Sequence, residues 1–473
     1  MSKTKIQKDS INESSNKTIS KKLKSVIENS DDSENTKAFK RVLNLYLENL
    51  TKFSENVNPE LEVRFGTKKI KNITKIDFYN VVKSLMNFGF KLNNENYFLK
   101  IIMDNEFSNI RTQLNGLPNI SHYCKYNTID DITDSENINF LEKEYFKYKD
   151  KSIYPLDFDD FNFRLSFQVE NEYNIQDEKI QTIINKWSST KKIFRHIKRF
   201  EYIHPDFPFA IHLSIVKTSK IVNGKMIPQF NIKDSDVFNS MEHYEIEIEC
   251  NNNQVSIDTN FETGIFLYEL FKKAIKYVLI GLQQTNFPIS INEQNFIKEN
   301  YMKLIKGQEY DKQKQITNKD FIGPSSNTLQ MINLLNEEDI NETNSSIPNV
   351  RNNYTVTDKA DGSRKLLYID DKGKMYLLTT NMNIEFTGCF TENKEIFNTI
   401  IDGEHILHNK NGEYINLYAC FDIYYINTRN LTMLPFINIE NILKEKEKEK
   451  EKKEKDMKKD KQKTLKTKKQ DGA

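Results

Sequence analysis

Two short segments place charged side chains at every second position. Glu60-Leu61-Glu62-Val63-Arg64 puts Glu60, Glu62 and Arg64 on one face of an extended chain, with Leu61, Val63 and Phe65 on the other. Glu245-Ile246-Glu247-Ile248-Glu249 repeats the pattern with three carboxylates. Either segment alone is what any half-exposed strand looks like. Together they bring five carboxylates to two strand faces, where like charges a few ångströms apart raise one another's pKa unless cations share the space. A hard divalent cation with oxygen ligands relieves that repulsion. Between the segments the chain is dense in bases: Arg111, Arg164, Lys191, Lys192, Arg195, Lys198, Arg199 and Lys217. Arginine forks grip phosphate oxygens in pairs. Glutamates that hold a metal, facing cations that hold phosphate, suit a metal-bound polyphosphate with one glutamate placed to activate water.

A second set lies downstream. Lys359-Ala360-Asp361-Gly362-Ser363-Arg364 sits in a loop between Val356 and the apolar run that starts at Leu366. Asp402-Gly403-Glu404 and then Tyr418 to Phe421-Asp422-Ile423 follow, and Phe321-Ile322-Gly323-Pro324 precedes. Lys359 is a candidate nucleophile. Its amine must then be neutral, which requires nearby cations or burial to depress its pKa.

The elements that position these groups can be read from periodicity. Residues 1–36 are nearly free of apolar side chains and are expected to lack order. Phe39, Val42, Leu43, Tyr46, Leu47 and Leu50 recur at helical spacing. A second helix starts near Thr74, with Asp77 placed to cap it and Gly89 near its end. Alternating segments at 60–65, 108–114, 163–169, 193–202, 210–217 and 244–250 predict a closed antiparallel sheet or barrel. Leu267, Leu270, Phe271, Ala274, Ile275, Val278 and Leu282 form one face of a helix packed under it. A polar connector over 298–319 leads to a second region of strands and turns. From Lys444 a Lys/Glu run could hold a solvated helix through i,i+4 pairs but has no core. The expected division is a disordered 1–38, a first domain at 39–305, a second at 306–443 and a charged tail at 444–473.

The whole chain has 473 residues, with 69 Lys and Arg against 68 Asp and Glu, so anion binding must come from local clustering. Cys124, Cys250, Cys389 and Cys420 show no CxxC spacing, which predicts free thiols in a reducing compartment. No apolar run reaches the ~20 residues of a membrane span, and the N-terminus has no signal-peptide core. A soluble, intracellular protein is expected.

The 60–66 and 245–249 segments, with basic strands between and a closing helix, resemble the signature strands of the triphosphate tunnel metalloenzymes, specifically the RNA triphosphatases of large DNA viruses and fungi. That resemblance implies Mg2+ or Mn2+ held by Glu60, Glu62 and Glu249. Glu245 and Glu247 would order the metal and the attacking water. Arg64, Arg111, Arg164, Lys192, Arg195, Lys198, Arg199 and Lys217 would bind the triphosphate. Two positions depart from the family pattern: Ile197 stands between Arg195 and Arg199 where a base is usual, leaving Lys198 to compensate, and His212 stands where Asp is favoured.

The second set resembles the covalent nucleotidyltransferases, the capping guanylyltransferases and polynucleotide ligases. It implies that Lys359 attacks the α-phosphate of GTP and holds GMP, with Asp361, Gly362, Arg364, Glu404, Phe421 and Asp422 around the nucleotide. Arg364 and a metal would depress the Lys359 pKa, Glu404 would meet the ribose or metal, and Phe421, or Tyr418 in its place, would stack on guanine. The two resemblances in this order are those of the viral mRNA-capping enzymes of large cytoplasmic DNA viruses. They imply an α+β chain, an antiparallel β-barrel tunnel with packing helices followed by a partial nucleotidyltransferase domain of antiparallel sheets plus helices. The later phosphate-binding motifs and lid are expected to lie outside this chain. The implied partners are 5′-triphosphate RNA, GTP, a cap methyltransferase and a viral RNA polymerase, in the cytoplasm, a viral factory or the virion. Two other readings fit the same residues: a tunnel phosphatase for nucleotides or polyphosphate with an inactive ligase-like domain, or a non-catalytic scaffold for RNA ends or a polymerase.

Overall fold

The computed structural model describes residues 33–434, except 55, 68–69, 133–135, 258–263, 340–345, 352–353 and 355–357. Of the disorder expected over 1–38, residues 1–32 fall outside the described residues, as does the charged tail expected from Lys444, while residues 34–38 are helical. The chain divides into two compact units, 1–295 and 296–473.

Helix α1 (Glu34–Asn49) starts five residues ahead of the expected Phe39. Ser33 is the reason: its hydroxyl accepts from the Thr36 N–H at 3.3 Å, and Glu34 lies in the positively polarised first turn. Helix α2 (Lys75–Asn87) is opened by the expected box, Thr74 and Asp77 each bonding the other's backbone N–H. Strands β1 (Val57–Phe65), β2 (Lys91–Met103), β3 (Ile110–Asn115), β4 (Ile138–Tyr145), β5 (Phe163–Tyr173), β6 (Lys192–Ile203), β7 (Phe209–Thr218) and β8 (His243–Cys250) pair antiparallel in the order β1-β8-β7-β6-β2-β3-β4-β5. Pairing of β5 back onto β1 closes the barrel. A short strand, Leu156–Phe158, continues the β4 line along β5.

The barrel inverts the usual soluble plan: its apolar residues face outward into two separate cores. Leu61, Val63, Phe65, Leu165, Phe167, Ile211, Leu213, Ile246 and Ile248 pack under α1, α2 and α6 (Gly264–Gln283), the helix that follows the short α5 (Asn252–Ile257). Leu99, Ile101, Ile110, Leu114, Ile138, Phe140 and Phe194 pack under α3 (Gly116–Tyr126) and α4 (Glu178–Asn185), with Trp187. Each fully buried Leu, Ile, Val or Phe contributes about 1.5–3 kcal/mol, so these outer cores fix which face of every strand turns inward. Helix α6 crosses α2 closely because Gly281 has no side chain; a Cβ there would lie 2.6 Å from the Val81 Cα. Strands β2 and β4 and helices α3 and α4 were not anticipated from sequence, since β2 opens with the polar run 91–96.

In the second unit, the expected polar connector is helical as far as Lys306. Ile297, Tyr301 and Met302 of α7 (Ile291–Lys306) are buried, and Tyr301 donates to the Asp320 carbonyl at 2.9 Å. Three apolar residues among many Lys, Glu and Asn gave too weak a stripe to read. The unit's sheet contains β9 (Ser363–Ile369), β10 (Lys374–Thr379), β11 (Ile384–Phe390), β12 (Thr399–His408) and β13 (Tyr414–Ile426), ordered β11-β10-β9-β12-β13. The four cysteines are unpaired. No helix of the described residues is long and apolar enough to cross a membrane.

Candidate active sites

Inside the barrel, alternation delivers one charged side chain per strand level. Glu62 is the Cα partner of Glu249, and Arg64 of Glu247, across β1 and β8. His212 of β7 lies opposite Glu247 and Ser214 opposite Glu245. Arg199 and Glu201 of β6 lie opposite Ser214 and His212. The two acidic faces therefore meet in a single lumen, as expected.

Most of the lumen cations are committed to those glutamates. Arg64 and Arg195 both donate to Glu245, on its two oxygens. Arg199 donates to Glu247 at 3.2 Å and to the Ser214 hydroxyl at 3.2 Å. The Lys143 ammonium of β4 pairs with Glu60 and stands 3.8 Å from Glu62. His212 bridges two carboxylates, Glu249 at 3.1 Å and Glu201 at 3.4 Å.

These contacts sort the protons. Burial, then Glu62, pushes the Glu60 carboxyl up against the pull of Lys143. Burial likewise raises Glu62, with Lys143 opposing and Glu247 and Glu249 adding. Glu247 is held low although burial works the other way, because Arg199 and Arg64 outweigh it. Glu249 is low because the His212 hydrogen bond overcomes its burial. The acid-rich wall thus contains two carboxyls that resist ionising and two that are firmly anionic.

Among the described residues no three His, Cys, Asp or Glu side chains converge tightly enough to cage a metal. Glu60 and Glu62 are drawn to Lys143 and Glu249 to His212, where cationic groups take up the charge. The donor set is still chemically that of a hard divalent ion: buried carboxylates, two of them raised first by burial and then by neighbouring carboxylates.

Three expected phosphate ligands face the wrong way. On β6 the lumen positions are odd-numbered, so Lys192 and Lys198 point outward. Lys192 is fully buried and donates to the Trp187 and Thr190 carbonyls at 2.5 and 2.8 Å. Lys198 pairs with Glu95 at 2.9 Å on the outer surface, so it does not compensate for Ile197, which is a lumen residue only 2% exposed. Lys217 of β7 donates to the Phe238 carbonyl at 3.0 Å outside the barrel. Charge count misled here; strand parity decides. Arg111 does take a lumen position, opposite Leu141 and Ile102. Arg164 lies beside Arg64 on the same face, forked onto Asp157 at 2.6 and 3.1 Å. Sequence reasoning missed Lys100, Lys143, Glu170 and Glu201, all lumen residues of strands whose alternation is weak.

In the second unit, the Lys359 side chain is exposed, 3.4 Å from the Ala360 carbonyl, with Asp361 and Gly362 also exposed. Gly362 is required sterically: a Cβ would stand 2.5 Å from the His405 carbonyl of β12. Arg364 is committed to partners within the sheet and its neighbouring segment. It forks onto the fully buried Asp402 at 3.1 and 2.6 Å, and donates to the Pro324 carbonyl at 2.7 Å. Its charge is neutralised there, and it ties the 321–324 segment to β9. Tyr418 is not free to stack on a base, since its hydroxyl donates to the Lys365 and Ile401 carbonyls at 2.7 and 3.0 Å. Phe421 is 44% exposed and available. Glu404 lies opposite Arg364 in register, and Asp422 opposite Asp402.

Residues 345–471 match the family model for the catalytic domain of mRNA capping enzymes. The chain is 28% identical over 182 residues to the probable mRNA-capping enzyme of Acanthamoeba polyphaga mimivirus, across 38% of this chain and 12% of that protein. The chain therefore spans about an eighth of the length of that relative. Among solved structures, the mimivirus capping enzyme triphosphatase aligns at 16% identity, covering 50% of this chain and 97% of that one, with a TM-score of 0.33. The S. pombe Pct1 RNA triphosphatase aligns at 13% identity, covering 53% and 93%, with a TM-score of 0.31. The chain is a homologue of a viral mRNA-capping enzyme and carries, within residues 345–471, the match to that family's catalytic domain.

Proposed function

We propose that the barrel hydrolyses the γ-phosphate of a 5′-triphosphate RNA end. The observation that carries this is the meeting of Glu60, Glu62, Glu245, Glu247 and Glu249 with Arg64, Lys143, Arg195 and Arg199 in one closed lumen. A water oxygen attacks the γ-phosphorus and the bond to the β–γ bridging oxygen breaks, leaving a 5′-diphosphate end and inorganic phosphate. Arg64, Arg195 and Arg199 hold the non-bridging oxygens and the charge that builds on them. Glu247, kept anionic, takes the water proton or aligns it, with Glu245. Glu60, Glu62 and Glu249 would hold Mg2+ or Mn2+, which supplies Lewis-acid stabilisation of the transferred phosphoryl group. Lys143 and His212 lie beside those carboxylates.

In the second unit the Lys359 amine would attack the α-phosphate of GTP, expelling pyrophosphate and forming a P–N bond. A terminal oxygen of the diphosphate RNA then displaces the lysine. Phe421 stacks on the base, and Asp361, Gly362, Glu404 and Asp422 surround the nucleotide. The first product is the second substrate, which is the chemical reason to join the two sites.

The test is incubation with γ-labelled triphosphate RNA and Mg2+ or Mn2+. Metal-dependent phosphate release that disappears in Glu62→Ala supports the reading. The separation of the carboxylates onto Lys143 and His212 favours a second reading, a non-catalytic scaffold for RNA ends, and binding without any release would establish that one instead.

A further inference from the structure

The barrel wall is interrupted beside β5. Strand β4 ends at Tyr145, and its line resumes only at Leu156. Between them the chain leaves the wall as a small hairpin, Lys147–Tyr148 paired with Lys151–Ser152. Phe146 anchors the base of the hairpin: it is buried, and its ring stacks on Phe167 at 4.3 Å. Strand parity puts Tyr145 on the same face as Lys143, and its partner Gln168 is also the partner of Glu60, so Tyr145 faces the lumen. It is close enough to Arg164 to act on that guanidinium. Arg164 is the second residue of β5 and the partner of Arg64, one residue from the end of β1, so this is the rim of the tunnel. Tyr154, returning from the hairpin, meets Tyr145 edge to face with ring centroids 5.4 Å apart. Both rings nevertheless stand in water, 42% and 68% exposed. Tyr148 is exposed as well, among the exposed Lys147, Lys149 and Lys151.

Resting on the reading that the lumen receives a triphosphate end, we propose that Tyr145 and Tyr154 form a stacking platform at the tunnel rim for the leading bases of the RNA. An RNA whose phosphates lie among the lumen arginines carries its first nucleosides out over a rim, and the rim beside Arg64 and Arg164 is the one that bears these rings. Every base offers a π-face to an aromatic side chain, so such a platform grips RNA whatever its sequence. The segment 145–154 holds three tyrosines, three lysines and a single acid, Asp150. Aromatic rings interleaved with cations suit a polyanion that carries flat bases, since the lysines attract backbone phosphates without reading sequence. A lumen that holds only a triphosphate treats RNA, free nucleotide and polyphosphate alike. The platform lies outside the phosphate ligands and gives RNA an advantage over the other two.

The experiment uses the full chain, with the anisotropy of a 3′-labelled triphosphate RNA measuring RNA binding and its displacement by inorganic tripolyphosphate measuring the lumen alone. Tyr145→Ala combined with Tyr154→Ala should weaken RNA binding about 10- to 100-fold and leave the tripolyphosphate affinity and the thermal midpoint unchanged. Tyr145→Trp combined with Tyr154→Trp should keep RNA affinity, because the ring faces remain. A triphosphate RNA whose leading nucleotides lack bases should bind the wild type as weakly as the intact RNA binds the double alanine variant, and should lose nothing further in that variant. A double alanine variant with wild-type RNA affinity overturns the inference, and metal-dependent phosphate release by that variant then leaves the triphosphatase reading intact. An equal loss of RNA and tripolyphosphate binding also overturns it, by making the tyrosines structural. A wild type that releases no phosphate but shows the base-dependent loss keeps the platform and removes the triphosphatase. If the wild type binds neither ligand, both fall.

Discussion

Glu62 of β1 and Glu249 of β8 are direct cross-strand partners, so two carboxylates enter the barrel at one level. Neither stays without a counter-group: Lys143 stands 3.8 Å from Glu62, and His212 lies 3.1 Å from Glu249. The pair is the centre of the proposed metal site, and its surroundings define what substitutions should do.

Glu62→Gln preserves size and hydrogen bonding while removing one anionic donor. Metal-dependent release of γ-phosphate should fall by at least about 100-fold, since even residues that merely support metal ligands cost 10- to 100-fold when changed. Initial rates across a Mn2+ titration measure this; a near-normal rate at saturating metal would remove Glu62 from the site.

Lys143→Met leaves Glu60 and Glu62 buried without their cation. Breaking a fully ionised buried pair from one side costs about 3–5 kcal/mol; Glu60 and Glu62 already resist ionising, so the thermal midpoint should drop by less than that. Added Mn2+ should recover more of that loss than it adds to the wild type, because the ion takes the place of the ammonium. An unchanged midpoint, with no extra recovery by Mn2+, would mean that Lys143 does not stabilise these carboxyls.

Glu201 is held at about 2, chiefly by the hydrogen bond from His212. A carboxyl lowered from 4.5 in the fold stabilises it fully above the unfolded value, and the contribution fades as pH falls toward 2. Allowing for its partial exposure, Glu201→Gln should cost about 1–2 kcal/mol at pH 7. Denaturant titrations should show the carboxylate's share of that difference shrinking from about pH 5 toward about pH 3. A gap that widens on acidification would contradict the assignment.

Arg364→Met strands Asp402, which is fully buried and otherwise bonded only to the Tyr424 hydroxyl among the described residues. Loss of about 3–5 kcal/mol from the second unit is expected. Replacing both partners with apolar residues should recover much of it, which would separate a structural ion pair from a nucleotide contact. Should Arg364→Met retain full stability, Arg364 would regain its place as a nucleotide ligand.

Lys359→Ala should abolish any labelled GMP adduct formed with GTP, and Gly362→Ala should reduce it sharply, because its new Cβ meets the His405 carbonyl at 2.5 Å. Gel autoradiography of the denatured chain reads both. An adduct that survives in Lys359→Ala would place the nucleophile elsewhere.

Much of this was legible before any coordinates. Alternation at 60–65 and 245–249 assigned faces, because a strand's period of two is local geometry. The Thr74–Asp77 cap and the α6 stripe were equally local. Lys359-Ala360-Asp361-Gly362 announced itself by composition and order. What sequence could not supply was phase. Lys192, Lys198 and Lys217 looked as suited to phosphate as Arg195 and Arg199, yet shifting one residue along a strand exchanges lumen for exterior, and the outward cores built on Phe194, Leu213 and their neighbours chose that phase. Lys143 and Lys100 were invisible for the complementary reason, since their lumen positions come from strands that touch only after the barrel closes. Arg364 looked like a ligand until Asp402, 38 residues away, was found beneath it. Residue type and spacing determined the chemistry available to this chain; closure of the sheet decided which charges meet, because electrostatic partners are set by distance in space and a strand's sequence fixes only which side chains share a face.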